Sequence, residues 1–352
     1  MNFDRTLIVF SYFVLALAAD SGARAGPRGE SLDIYWVDVE GGAATLIVTP
    51  GGESVLLDTG NPGSRDPDRI VRVLTRQAGL RKIDHLIVTH YHSDHYGGAS
   101  TLATMLPIGT LYDNGITDDM PEPAPEESYL NLACEDRRTI VPGDRVPLKS
   151  PNRGDTLDVS LVCLGARRKY VTPDGDNGPI NEFCALHQPK DRDGTDNARS
   201  VVMLLKFGDF EFFDGGDLTW NEEYRLVCPQ NRVGSVDVYQ VTHHGLDSSN
   251  NPVALRSLRP TVAIMNNGAT KGCLPEVFAN LTQTESVEAI YQVHKNLRPD
   301  GAVNNVPDEY IANHEDETQC RGNFIHLSVD PSGDSYTVAI PAHGHKRKFK
   351  SK

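Results

Sequence analysis

The sequence predicts an α/β sandwich with mixed sheets. Short apolar runs of strand length recur along the chain, and segments with helical periodicity lie between some of them. No internal repeat or long linker divides the 352 residues, so we predict one domain over residues 26–345. The predicted strands are residues 32–39, 43–49, 54–57, 83–88, 201–207, 210–213, 236–241 and 262–265.

The connections between these strands support the same fold class. Glu40-Gly41-Gly42 predicts a hairpin turn between the first two strands. Residues 66–78 predict a helix, because their apolar residues follow helical spacing and Gly79 is a typical helix end. Two stretches rich in Pro, Gly and Asp, residues 117–128 and 165–199, predict long loops. The second loop either gates a substrate or is a surface insertion.

Residues 1–25 predict a signal peptide that does not belong to the fold. Arg5 precedes an apolar run over residues 6–19, and Ala23-Arg24-Ala25 fits a small-x-small cleavage site. An uncleaved N-terminal anchor is the alternative. No later segment approaches about 20 apolar residues, so we expect an exported protein, periplasmic or secreted, with no membrane contact after cleavage.

The cysteines agree with export. Their spacing matches no zinc-finger or redox motif, and an even number in an oxidising compartment predicts at least one disulfide. Several could instead be buried free thiols. The six cysteines are Cys134, Cys163, Cys184, Cys228, Cys273 and Cys320.

The net charge limits the partners. A formal charge of −14 repels phosphate polyanions, so we expect a small-molecule or oligonucleotide substrate and no stable nucleic-acid complex. The only basic run, within residues 346–352, predicts a frayed and solvated tail rather than a binding arm. The sequence leaves the oligomeric state open.

The most informative segment is Thr-His-Tyr-His-Ser-Asp-His-Tyr-Gly-Gly, residues 89–98. It follows the predicted strand 83–88, and its two glycines allow a sharp turn into a helix. Imidazoles with a carboxylate are the ligand set that zinc and similar divalent ions prefer. We therefore predict that His90 and His92 reach one metal ion while Asp94 and His95 reach a second. The alternative is a solvated loop that is merely rich in histidine.

Polar residues recur at the ends of other predicted strands. Asp58 and Asp217 each close an apolar run, as does His244, and Asn197 precedes one. Each alone is compatible with an ordinary turn. Because strand ends on one rim of a sheet converge in space, together they predict a single site.

With these residues in place, the sequence resembles the metallo-β-lactamase superfamily over nearly all of the chain that follows the predicted signal. The signature His-x-His-x-Asp-His matches residues 90–95, and the upstream Asp-x-Gly matches Asp58. The resemblance implies a four-layer αββα sandwich with two mixed sheets and a binuclear site. It assigns His90 and His92 to the first metal, Asp94, His95 and His244 to the second, and Asp217 as the bridging carboxylate. Asp58 would orient the histidine loop by hydrogen bonds.

Two assignments within this resemblance stay open. His243 competes with His244 for the last ligand position; His244 is favoured because it directly precedes Gly245, which leaves His243 to face the substrate. Many members have a third histidine for the first metal where this chain has Asn197, with Asp196 as an alternative ligand. Asn197 and the later His-His-Gly are similar to the hydrolase domain of ComEC-type competence proteins. A weak Asn ligand implies either that the first metal is bound less tightly or that manganese is selected over zinc in that position.

The resemblance implies a secreted hydrolase that uses a metal-bound hydroxide and two zinc or manganese ions, with Asp94, Asp217 and His243 as catalytic residues. Phosphodiesters are the preferred substrates, as for a nuclease or phosphodiesterase. The alternatives are a carbonyl hydrolase (β-lactamase, lactonase or esterase) and a non-catalytic, metal-stabilised binding module. The segment His294-Lys295-Asn296 is a further candidate for substrate contact, unless it is ordinary surface.

Overall fold

Two large β-sheets form the centre of the molecule. The computed structural model describes residues 31–149, 157–172 and 179–352, so the predicted signal peptide lies outside the described residues. Within those ranges the chain forms seventeen strands and seven α-helices. Both sheets are mixed, as the sequence predicts.

The first sheet has nine strands in the order β17-β16-β15-β1-β2-β3-β4-β5-β6. The pairs from β3 to β6 are parallel and the others are antiparallel. The strands are β1 Leu32–Trp36, β2 Thr45–Val48, β3 Ser54–Leu57, β4 Ile83–Ile87, β5 Ile108–Asp113, β6 Asp136–Thr139, β15 Ile325–Val329, β16 Ser335–Ile340 and β17 His345–Lys350.

The second sheet has eight strands in the order β14-β13-β12-β11-β10-β9-β7-β8. Strands β10 to β14 are parallel to one another, and β9, β7 and β8 add antiparallel pairs. The strands are β7 Val159–Ala166, β8 Lys169–Tyr170, β9 Val202–Phe207, β10 Phe210–Asp214, β11 Val238–Gln240, β12 Val262–Met265, β13 Ala289–His294 and β14 Ile311–Asn313.

The two sheets pack face to face, and helices cover both outer faces. The central core includes Ile34 and Ile87 of the first sheet and Leu205 and Ile264 of the second. Separate apolar clusters bind the helices to the outer faces, which gives four layers and confirms the predicted αββα sandwich. The helices are α1 Arg65–Arg72, α2 Ser93–Tyr96, α3 Ala99–Met105, α4 Glu127–Leu130, α5 Trp220–Val227, α6 Pro252–Leu258 and α7 Pro275–Thr282.

The C-terminal segment corrects one prediction. Residues 346–352 do not form a frayed tail, because β17 pairs with β16 over six residues. Exposed basic side chains alternate along β17 with less exposed ones, and Phe349 between Lys348 and Lys350 is buried and stacks on Tyr336. Alternating exposure is typical of a strand, and here one buried apolar side chain attaches a charged edge strand to the core.

One predicted disulfide is present, between Cys184 and Cys228. It links the long loop before β9 to the end of α5, 44 residues apart. The other four cysteines are free thiols, which was the alternative for several of them. None of the helices in the described part of the chain combines the length and hydropathy of a membrane span.

Candidate metal centre

The histidine motif lies where β4 ends and α2 begins. Asp58, at the end of neighbouring β3, fixes this segment: its carboxylate accepts hydrogen bonds from the Thr89 backbone N–H and the Thr89 hydroxyl, both at 2.8 Å. The same carboxylate lies 2.7 Å from Nδ1 of His95. This bond directs Nε2 of His95 towards the centre of the site, the role predicted for Asp58.

Asp94, His95, Asp217 and His244 converge on one point. One ligand atom from each residue lies within 4.8 Å of all the others. Asp94 and His95 follow a strand of the first sheet, whereas Asp217 and His244 follow strands of the second. Nε2 of His95 is 3.2 Å from Asp217 Oδ2, and Nε2 of His244 is 3.2 Å from Asp94 Oδ2. This is the set that the resemblance assigns to the second metal.

A second group adjoins the first and shares Asp217. Ligand atoms of His90, His92 and Asp217 also lie within 4.8 Å of one another. Nε2 of His90 is fully buried, has no hydrogen-bond partner and lies 3.8 Å from Asp217 Oδ2. Because a buried nitrogen without a partner is costly, this atom fits a metal ligand. Asp217 is thus placed to bridge two ions.

The group of His90, His92 and Asp217 needs a further ligand, and this is the position that the sequence left open. Asp196 accepts a hydrogen bond from the Tyr91 backbone N–H at 2.7 Å and lies beside Arg199, so its carboxylate is occupied elsewhere. Asn197 is buried, and its Oδ1 has no hydrogen-bond partner. Asp196 Oδ1 also lacks a hydrogen-bond partner but forms an ion pair with Arg199 Nε at 3.3 Å, so Asn197 Oδ1 is the oxygen of these two residues that remains for a divalent ion.

Charge in the site is also suited to a divalent ion. Burial alone would raise the pKa of Asp217, but the imidazoles of His244 and His95 hold it well below its usual range. Burial would likewise lower the pKa of His95, and the carboxylates of Asp217 and Asp58 raise it well above its usual value. The carboxylates therefore favour positive charge at this point, the charge that a divalent ion would supply.

The structure places the two adjacent histidines differently. His244 is fully buried and belongs to the group of Asp94, His95 and Asp217. The His243 side chain is 11% exposed, and its Nε2 lies 3.5 Å from Asp217 Oδ2 and 3.2 Å from Asn197 Nδ2. This placement favours His244 as ligand and leaves His243 at the rim, where a substrate would lie.

Glu223 of α5 holds the loop that carries these histidines, and no sequence motif predicted this role. Its buried carboxylate accepts hydrogen bonds from the backbone N–H groups of Asn250 and Asn251, at 2.9 and 2.7 Å, and from the Thr242 hydroxyl. His243 and His244 both have positive φ angles, a conformation that is costly for non-glycine residues. Glu223 therefore helps to maintain a strained loop.

Lys271 is a second residue that sequence reasoning missed. It lies in the loop after β12, and its ammonium group forms a close ion pair with Asp94 Oδ2. The Lys271 side chain is 38% exposed, so it is accessible from solvent at the edge of the site. Only proximity in the folded chain reveals it, because it lies 177 residues from Asp94.

An open cavity of about 500 Å³ adjoins the rim. Ser248 lines it and also contacts Nδ1 of His243, at 2.9 Å. Part of the long loop over residues 165–199 forms another wall, with Lys190 above the ring of Trp220. The loop that was predicted either to gate a substrate or to be a surface insertion thus borders the space beside the site.

The structure corrects the prediction for His294-Lys295-Asn296. His294 and Asn296 are buried, and neither belongs to the two groups described above. His294 faces Asp38 and Glu40, and Lys295 pairs with Asp308. The segment lies at the end of an interior parallel strand, and its polar side chains pair with neighbouring loops of the protein instead of a substrate.

Comparison with known families finds a match in the N-terminal part of the fold. Residues 37–164 match the model of the metallo-beta-lactamase superfamily. This range contains Asp58 and the complete histidine motif.

Two curated relatives match more of this chain but are much longer, and a third matches a shorter part. Recombination protein 2 of Haemophilus influenzae is 27% identical over 235 residues, which are 66% of this chain and 24% of that protein. Competence protein ComA of Neisseria gonorrhoeae is 24% identical over 244 residues, 69% of this chain and 28% of that protein. A UPF0173 metal-dependent hydrolase of Cupriavidus necator is 36% identical over 92 residues, 25% of this chain and 28% of that protein. The chain thus spans less than a third of each relative.

Solved structures overlap with the chain in part. A mutant of CmlA beta-hydroxylase has 16% identity and a TM-score of 0.46, covering 76% of this chain and 53% of that one. A metal-dependent hydrolase of the beta-lactamase superfamily has 13% identity and a TM-score of 0.44, covering 74% of this chain and 95% of that one.

Proposed function

We propose that the chain is a metal-dependent hydrolase of the metallo-β-lactamase superfamily and that it is an exported enzyme that cleaves small phosphodiesters or short oligonucleotides. Two divalent ions, zinc or manganese, would be held by the groups that share Asp217. His90, His92 and Asn197 would hold one ion. The second ion would be held by the set Asp94, His95 and His244.

The metals and the protein have separate tasks in this proposal. When bound, such an ion pair lowers the pKa of water towards about 7 and neutralises charge on the attacking and leaving oxygens. Asp217 and Asp94, which would themselves be metal ligands, can also accept the proton of the attacking water. His243, at the rim, is placed to contact the group that is being hydrolysed.

The preference for phosphodiesters depends on one observation, the cationic and polar rim. A phosphodiester carries negative charge on its non-bridging oxygens, and positive groups aimed at such oxygens stabilise the transition state. The Lys271 ammonium group lies at Asp94, and the His243 imidazole lies beside Asp217. Lactams and lactones are uncharged at the reacting carbonyl before attack, so a cation beside that centre contributes less to binding them than to binding a phosphodiester.

The comparisons give additional support. Two relatives that cover most of this chain have names that refer to recombination and competence, which is compatible with a substrate related to nucleic acid. The formal charge of −14 favours a short substrate over polymeric DNA. The predicted signal peptide and the Cys184–Cys228 disulfide support the proposal of export.

Substrate choice is tested with purified protein loaded with zinc or manganese. We expect turnover of bis(p-nitrophenyl) phosphate and of a short single-stranded oligonucleotide. Turnover of nitrocefin or a lactone alone would replace the proposal with the carbonyl-hydrolase alternative. Metal binding without turnover of any of the four would favour a non-catalytic module.

The role of Lys271 is tested by Lys271→Met. Loss of one charged contact to the substrate is expected to lower kcat/KM on bis(p-nitrophenyl) phosphate by about 10- to 100-fold. Lys295→Met is the matched control, because Lys295 is 34% exposed and pairs with Asp308 away from the site. Equal activity of the two variants would contradict the role given to the cationic rim.

A further inference from the structure

We propose a second metal site, separate from the catalytic centre, in which Asp38, Glu40, His294 and Cys320 hold a structural zinc ion. One ligand atom from each lies within 4.8 Å of all the others. They come from three distant segments: the loop after β1, the end of β13 and the loop before β15. Nothing in the superfamily signature includes these residues, and the inference does not depend on the substrate.

The imidazole of His294 is the centre of this group. Its Nε2 lies 2.8 Å from Asp38 Oδ1 and 3.0 Å from Glu40 Oε2. The Cys320 thiol lies 3.0 Å from Asp38 Oδ2 and 3.8 Å from the same Nε2. One nitrogen, one sulfur and two carboxylates make a four-ligand set, the number that structural zinc sites use.

One imidazole nitrogen faces two carboxylates. Glu40 is buried, and its Oε2 lies 3.0 Å from His294 Nε2, the nitrogen that also lies 2.8 Å from Asp38 Oδ1, so a single N–H is shared between two carboxylate oxygens. The catalytic centre has related atoms: His90 Nε2 and Asn197 Oδ1 are buried without hydrogen-bond partners beside carboxylate or imidazole groups. A cation at either place would satisfy atoms that are otherwise costly to bury.

The charges balance with a divalent ion present. Asp38 and Glu40 both pair with Arg69, at 2.7 and 2.8 Å. Two carboxylates and a Cys320 thiolate carry three negative charges, which Arg69 and one divalent ion neutralise. Binding would displace one proton from the thiol and one from the imidazolium of His294. A mixed thiolate, imidazole and carboxylate set favours zinc over magnesium or calcium.

The position of the group suggests its effect. Glu40 lies in the turn that leads to β2, and a few residues later the Ala43 N–H donates to the backbone carbonyl of Asp94 at 3.1 Å. An ion bound to Asp38 and Glu40 would fix this turn against the histidine motif. The site would therefore stabilise the segment that supports the catalytic metals without contacting them.

Metal content and cobalt spectroscopy test the proposal. The full chain, produced in medium that contains zinc and then dialysed, is expected to hold three metal ions. The His92→Ala variant is expected to retain the ion at the Cys320 site. In the cobalt-substituted protein we expect a thiolate-to-cobalt charge-transfer band, because the catalytic groups contain no cysteine. Cys320→Ser should remove this band and lower the metal content by one ion.

Cys134→Ser is the matched control. Cys134 is a free thiol of similar partial burial and belongs to none of the metal groups in the described ranges, so its replacement should leave the band intact. The absence of a thiolate band in wild-type protein, or a metal content that is the same in Cys320→Ser and wild type, would show that Arg69 and a protonated His294 alone neutralise the carboxylates. A band that persists in Cys320→Ser would also overturn the assignment. These readouts do not depend on hydrolytic activity.

Discussion

Asp58→Asn should weaken metal binding at His95 through a change of tautomer. Asp58 is 2% exposed, and its carboxylate accepts from the Thr89 N–H through Oδ1 and faces His95 Nδ1 through Oδ2. The Thr89 N–H can only donate, so the amide oxygen of Asn must stay at that end. The amide NH₂ then faces His95 and requires Nδ1 to accept a hydrogen bond.

This tautomer places the proton on the wrong nitrogen. Nε2 of His95 is the atom that lies 3.2 Å from Asp217 Oδ2, and a protonated Nε2 cannot bind a metal. Loss of such an orienting carboxylate typically costs 10- to 100-fold in metal affinity or activity. That range corresponds to about 1.4 to 2.7 kcal/mol of binding free energy.

The assay is a zinc titration against a competing chelator, followed by kcat/KM at saturating zinc. Asp33→Asn is the control, because Asp33 forms a similar pair with His326, at 2.9 Å, on an outer part of the first sheet. We expect wild-type zinc affinity in Asp33→Asn and a clear loss in Asp58→Asn. If Asp58→Asn bound zinc as tightly as wild-type protein, Asp58 would not control the tautomer of His95.

Three further predictions concern stability. Burial raises the pKa of Glu223 to about 7, so its protonated carboxyl favours the folded state. The unfolding free energy should therefore fall as pH rises from about 4.5 to 7, by at most about 3 kcal/mol. Glu223→Gln should reduce the dependence of the unfolding free energy on pH in this range, and an unchanged slope would refute the shifted pKa. Replacing both Cys184 and Cys228 by Ser should lower the unfolding free energy by about 2 to 4 kcal/mol in denaturant titrations, and the wild type in reductant should match the variant. Phe349→Ala should cost about 3 to 5 kcal/mol if β17 is part of the core, whereas a frayed segment would show no loss.

Local patterns were enough to predict the sandwich and half of the site. β3 and β12 begin and end where their apolar runs predict, because a buried strand must be apolar along its whole length. The motif over residues 90–95 is compact enough to be recognised from spacing alone. The C-terminal prediction failed for a complementary reason: β17 is an exposed edge strand, where charge is normal and only Phe349 indicates burial.

The sequence by itself determined the resemblance to the metallo-β-lactamase superfamily and the ligand types, since these depend on residue identity and short spacing, and the two-sheet architecture followed from that resemblance. Only the tertiary structure decided which distant side chains meet. Lys271 reaches Asp94 from 177 residues away, and His294 joins Asp38 rather than the catalytic centre. Such contacts depend on the order and register of strands in two packed sheets. No periodicity along the chain encodes that order, because it is set by the packing of the whole domain.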